Sequence, residues 1–153
     1  MALNILTPLA KVTRVSRVVD PSSFTATPGI WGYIGSDGSI KNIQTGTNNK
    51  INKLVISSKS SSAYESQDIA VGRIATLETP GARCTVTTTG YVPTSMTQGA
   101  LLVVGSDAGN EGKLEAVAYA AAGTYEVVAI CESIDATNGI LTFETLSPSF
   151  VTK

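Results

Sequence analysis

Hydrophobic residues along this chain fall in short runs that are separated by glycine, proline, asparagine and aspartate. The most regular series of such runs comprises residues 90–93, 98–105, 112–117, 127–130 and 139–143. Short runs at a spacing of about ten residues, bounded by turn residues, are typical of antiparallel strands in a sandwich or barrel. No apolar repeat of about 3.6 residues is sustained, so the crossover helices of a doubly wound α/β fold are missing. The pattern predicts an all-β fold, with a small antiparallel barrel as its body.

The first part of the chain contains a predicted β-hairpin. Residues 30–34 and 40–43 form two short apolar runs, and Asp37-Gly38 lies between them. An Asp-Gly pair flanked by strand-like runs is a strong signal for a tight hairpin turn. We therefore expect an extra β-hairpin in front of the body.

A serine-rich stretch at residues 57–62 follows another short predicted strand at 53–57. A run of this kind has nothing to bury and is typical of a linker. We use it as a boundary and predict three segments: an N-terminal arm (1–20), a hairpin segment with its linker (21–62) and a β-rich body (63–153).

One predicted strand, at residues 83–89, alternates with a period of two. The alternation places three side chains on an inner face, namely Cys84, Val86 and Thr88. The chain has two cysteines, Cys84 and Cys131, and both lie in apolar runs. Free cysteine is among the most buried residue types, so two small buried hydrophobic side chains are favoured over a disulfide. Without histidine, the pair cannot complete the usual kind of zinc site.

Residues 1–20 combine apolar and basic side chains around Pro8. Their β-branched content and the lack of a helix cap favour an extended arm. Such a segment either packs on its own domain or pairs with another chain by adding a strand. It lacks the basic start of a signal peptide, and no apolar run approaches the roughly 18 residues of a membrane span. We expect a protein made and assembled in the cytoplasm, with no membrane partner.

Charge is sparse and unevenly distributed. Charged residues make up 15% of the chain, against the roughly 25% usual for a globular domain, while the net charge is −1. Residues 1–59 carry seven basic and two acidic side chains, whereas residues 60–153 carry four basic and ten acidic ones. The basic residues are too dispersed to indicate a nucleic-acid site. Either the two parts face different surroundings or the charges are simply scattered and solvated.

Catalytic chemistry finds little support, because the chain contains no histidine. Every Ser-His and Cys-His nucleophile mechanism is thereby excluded. The carboxylates that remain for acid–base hydrolysis are Asp107, Glu111, Glu115, Glu126 and Glu132. Each lies near a turn or at an alternating strand position, where a solvated charge is expected.

The glycine-rich stretch 105–114 has a superficial likeness to a phosphate-binding loop. It lacks the spacing of a phosphate-binding loop, because Asp107 and Leu114 stand where glycine and serine or threonine are needed. Asp107, Asn110 and Glu111 offer oxygen ligands for calcium but not in the order of an EF-hand, so a hairpin loop is favoured.

The order of runs and turns resembles the head decoration, or capsid cement, proteins of tailed bacteriophages. The resemblance covers residues 69–148 and rests on these stretches: 80–84, 89–93, 99–103, the turn 109–112 before Lys113-Leu114, 127–130 and 139–143. It implies a β-tulip or small-barrel body. The segment 24–57 is additional to the shortest members of that family.

What the resemblance implies is a non-enzymatic homotrimer without a cofactor, located on the outer capsid surface of the virion. Its partner would be the major capsid protein, whose neighbouring subunits it holds together. The N-terminal arm would lie along the shell, and its candidate binding residues are Leu3, Ile5, Leu6, Leu9, Lys11, Val12, Arg14 and Arg17.

An alternative function is a carbohydrate- or receptor-binding β-module. Trp31 and Tyr33 are two residues apart and would share one strand face, and Tyr91 would complete a platform for stacking. Core or interface packing is the more frequent role of such a pair.

Overall fold

A computed structural model describes residues 3–5, 12–20, 27, 29–43, 54–57, 74–80 and 82–153. These residues contain no helix, which confirms the predicted all-β class. The strands are β1 (Leu3–Ile5), β2 (Val12–Val18), β3 (Trp31–Ile34), β4 (Ile40–Asn42), β5 (Leu54–Ser57), β6 (Ile74–Pro80), β7 (Thr85–Thr88), β8 (Leu101–Val104), β9 (Leu114–Ala116), β10 (Thr124–Asp135) and β11 (Ile140–Thr152).

The strands pair into two antiparallel sheets. The six-stranded sheet has the order β1-β7-β11-β10-β8-β9, and the five-stranded sheet has the order β2-β6-β5-β3-β4. The outer strands of the second sheet meet at one point, because Val19 forms a parallel bridge with Ile40. There the Asp20 N–H donates to the Ile40 carbonyl at 2.9 Å. The described strands thus form two antiparallel sheets, and the two outer strands of the second sheet are joined by this single bridge.

The predicted hairpin is confirmed as β3 and β4, paired antiparallel. Gly38 adopts φ 78°, a left-handed conformation that glycine takes up without steric cost. Asp37 Oδ1 accepts hydrogen bonds from the Ser39 hydroxyl at 2.8 Å and the Ser39 N–H at 3.0 Å. Lys41 Nζ bridges Asp20 at 2.8 Å and Asp37 at 3.0 Å. The bonds from Ser39, followed by the bond from Lys41, lower the pKa of Asp37 to about 2.

Side chains from both sheets share the main core. In β7 and the residue before it, the predicted inner face of Cys84, Val86 and Thr88 is buried while the intervening residues are not, which confirms the alternation. Both cysteines are free and buried, as predicted. The core consists of Trp31, Ile43, Cys84, Val86, Met96, Leu102, Val104, Leu114, Ala116, Val128, Ala129, Cys131, Leu141 and Phe143.

The predicted division into three segments stays a prediction. In the structure, β6 of the predicted body pairs with β2 of the predicted arm and with β5 of the hairpin segment. The core likewise joins Trp31 to residues of the predicted body such as Phe143.

A second, smaller cluster lies on the six-stranded sheet and consists of Val103, Ala120, Tyr125 and Val127. The connection between β9 and β10, which includes Ala120, runs through turns and bends. Lys153 stabilises this connection by hydrogen bonds, since its Nζ donates to the carbonyls of Ala118 at 2.8 Å and Ala120 at 2.6 Å. Glu115 of β9, which is paired with Val103, is buried in the same region.

Candidate functional site

The N-terminal segment supplies an outer strand to each sheet. β1 pairs with β7 at the edge of the six-stranded sheet, and β2 pairs along its whole length with β6 at the edge of the five-stranded sheet. Of the two possibilities for this segment, packing on its own domain is the one that the described strands show. The residues of this segment that the structure describes in β1 and β2 are therefore part of the two sheets.

The candidate shell-binding residues are divided between these two strands. Leu3 and Ile5 lie in β1, and Val12, Arg14 and Arg17 lie in β2. Leu6, Leu9 and Lys11 lie outside the described residues. The structure thus places the candidates that it describes on two different sheet edges.

The outer side of β2, residues Val12–Val18, is named the β2 edge here. Within the described strands β2 is paired with β6 alone, and Val19 makes the bridge to Ile40 just beyond its end. Ser16, Arg17 and Val18 are exposed, Val18 to 44%. The Arg17 guanidinium donates to the Ser16 carbonyl at 2.9 Å. An outer strand of this kind can accept a strand from another chain, and its exposed arginine can select an acidic partner.

The proposed aromatic platform is not formed. Trp31 is only 4% exposed and belongs to the main core, and Tyr33 and Tyr91 are partly buried against that same core. The residues of β3 therefore turn the indole inward, as expected for the largest apolar side chain on a half-buried strand. Trp31 has no ring face left on which a sugar or base can stack.

The loop between β8 and β9 is a hairpin loop, as predicted. The Glu111 carboxylate accepts the Gly109 N–H at 2.7 Å, and Lys113 Nζ donates to the Gly109 carbonyl at 2.7 Å. These contacts use Glu111 to hold the turn. Within the described residues, no group of three or more Cys, Asp or Glu side chains is placed to hold a metal ion.

Two of the acidic residues that were expected to be solvated are buried instead. Glu115 in β9 is 2% exposed, and Glu126 in β10 is 4% exposed. Glu115 Oε2 accepts no hydrogen bond from the described part of the chain. Burial, with a smaller contribution from the negative charge of Asp107, raises the pKa of Glu115 to about 7, and Lys153 opposes this rise. Strand alternation did not reveal this site, because all three residues of β9 are buried and neither face of the strand meets water.

Comparison with known proteins gives no matching family model, no similar curated protein and no similar solved structure. The described residues include no helix that is long and apolar enough to cross a membrane.

Proposed function

We propose that this protein is a capsid decoration protein that binds the outer surface of a tailed-bacteriophage shell and bridges neighbouring major capsid subunits. Two features support the proposal: the resemblance of residues 69–148 to that family, and the exposed β2 edge. The observation that carries it is the outer position of β2, with Arg17 and Val18 exposed.

The β2 edge suits attachment by strand addition. A strand added there would gain main-chain hydrogen bonds, Val18 would supply an apolar contact, and Arg17 would favour an acidic surface. A single seven-residue strand covers less than the roughly 800 Å² that each partner buries in a stable interface. Several such contacts made at once would compensate through multivalency, and a homotrimer of this chain would provide them.

The test is co-sedimentation of the purified protein with expanded, empty shells of the same virus. We expect the unchanged protein to bind and the double variant Arg17→Glu/Val18→Asp to bind at least about tenfold more weakly, because charge attraction and apolar contact are both lost. Arg83→Glu is the matched control, since that side chain is 82% exposed and follows the end of β6 that pairs with Val12, at the opposite end of β2 from Arg17. It should bind like the unchanged protein.

Two results would overturn the proposal. One is no binding of the unchanged protein to the shells, and the other is undiminished binding of the Arg17→Glu/Val18→Asp variant. Light scattering tests the trimer separately, since a homotrimer has three times the 15.8 kDa mass of the chain. Circular dichroism of each variant establishes that the β-fold is retained.

A further inference from the structure

Glu115 is a buried acidic residue to which the proposed function gives no role. It lies in β9, opposite Val103 of β8, so both side chains are on the face that carries the smaller cluster. It is 2% exposed, and its Oε2 has no hydrogen-bond donor in the described residues. Burial without a donor strongly disfavours the charged form of a carboxyl group.

Two charged groups from neighbouring elements influence the ionisation of Glu115. Asp107, in the β8–β9 loop, adds a negative charge that disfavours ionisation, while Lys153, beyond β11, favours it. The Lys153 ammonium is engaged with the carbonyls of Ala118 and Ala120. The phenol of Tyr125 belongs to the cluster on the same face. Burial outweighs the lysine, so that the pKa of Glu115 rises from 4.5 to about 7.

The β8–β9 loop, residues 105–113, closes over the Glu115 carboxyl group. A Cβ placed on Gly105 would lie 3.0 Å from Glu115 Oε2 and 2.8 Å from the Asn110 carbonyl oxygen, so the loop backbone lies directly against the carboxyl group. Two of the hydrogen bonds that hold the loop join Gly105 to its far end, from the Gly105 N–H to the Lys113 carbonyl at 2.8 Å and from the Gly112 N–H to the Gly105 carbonyl at 2.9 Å.

The same loop contacts the other sheet. The Trp31 N–H, at the start of β3, donates to the Gly112 carbonyl at 2.8 Å. Gly112 is so close to β3 that an added Cβ would clash with the Ile30 side chain and the Trp31 carbonyl. Lifting the loop backbone at Gly105 therefore pulls on Gly112, and through it on the contact with Trp31.

We propose that Glu115 is a pH-sensitive latch on the β8–β9 loop, which is held docked on β3 while the carboxyl group is protonated and opens away from β3 more readily once the group is ionised. An ionised carboxylate needs water, and opening of this loop, whose backbone lies against the carboxyl group, would admit it. Separation hydrates the carboxylate and breaks the bond between Trp31 and Gly112. The latch goes beyond the proposed function and does not depend on shell binding.

The test is hydrogen exchange of the Trp31 amide, measured by NMR on the full chain and corrected for the intrinsic pH dependence of exchange. The pKa of Glu115 is about 7 while the loop is closed, and it is 4.5 in the open form if the carboxyl group is fully hydrated there. The equilibrium constant for opening is then about thirtyfold larger at about pH 8.5 than at about pH 5.5. The Trp31 protection factor should fall by that ratio. The Cys131 amide, which donates to the Ala100 carbonyl within the six-stranded sheet, should change much less.

Two variants keep the proposal falsifiable. Glu115→Gln removes the ionisation and should make Trp31 protection independent of pH. Asp107→Asn, at an exposed position, should shift the midpoint of the change to lower pH. The latch is refuted if Trp31 protection in the unchanged protein does not depend on pH, if Glu115→Gln shows the same loss, or if Cys131 loses protection equally, since the last result means global unfolding.

Discussion

Replacing Gly112 by alanine tests the contact between the two sheets. Gly112 adopts φ 74°, where a non-glycine residue costs about 1–2 kcal/mol. An added Cβ would also clash with the Ile30 side chain and lie 2.5 Å from the Trp31 carbonyl oxygen, which belongs to the backbone of a strand. Overpacking of this kind costs typically about 1–3 kcal/mol. The lower entropy of the unfolded alanine variant offsets about 0.4–1 kcal/mol.

We therefore expect Gly112→Ala to lower the free energy of unfolding by about 3 kcal/mol, a large part of the roughly 5–15 kcal/mol typical of a domain. The assay is urea unfolding followed by tryptophan emission. Trp31 is the only tryptophan in the chain and is 4% exposed, so its emission reports on the main core.

Gly109→Ala is the matched control in the same loop. Gly109 has φ 85°, but an added Cβ would have nothing within 4 Å. This variant carries the conformational cost alone, and we expect a loss of about 1 kcal/mol. Equal losses for the two variants, within about 0.5 kcal/mol, would refute the close packing of Gly112 against β3, because only that packing distinguishes them.

Three further predictions concern buried or hydrogen-bonded groups. Between pH 4.5 and about 7 Glu115 is protonated in the folded state but ionised in the unfolded state. The free energy of unfolding should therefore fall by about 3 kcal/mol as pH rises through that interval. Urea titrations should show the fall in the unchanged protein and in Glu132→Gln but not in Glu115→Gln. Thr145→Val should cost about 1–3 kcal/mol in the same assay, because Thr145 Oγ1 accepts the buried Cys84 N–H at 2.9 Å; a neutral result would show that this N–H finds another partner. Asp37→Ala should speed hydrogen exchange of the Ser39 amide, because it removes the acceptor of that N–H. Since the pKa of Asp37 is lowered to about 2, the Ser39 amide of the unchanged protein should stay protected from exchange until pH falls towards that value. An unchanged Ser39 exchange rate would contradict the capping role.

The sequence by itself determined the features that depend on neighbouring residues. The hairpin at Asp37-Gly38 follows from local turn geometry, and the buried face of Cys84, Val86 and Thr88 follows from the two-residue period of a strand. The all-β class follows from the same short-range patterns. The possibility that the N-terminal segment packs on its own domain was also open from the sequence, and the described strands show that packing.

Only the tertiary structure decided which segments lie together. The N-terminal strands go to different sheets, β1 with β7 and β2 with β6, and these pairings join residues far apart in the chain. Glu115 was expected to be solvated but is buried, and Trp31, for which packing and an exposed platform were both open, is buried in the main core. Alternation tells which side chains share a face of a strand, but whether that face meets water depends on what packs against it. The burial of Trp31 and the raised pKa of Glu115 are therefore properties of the assembled sheets.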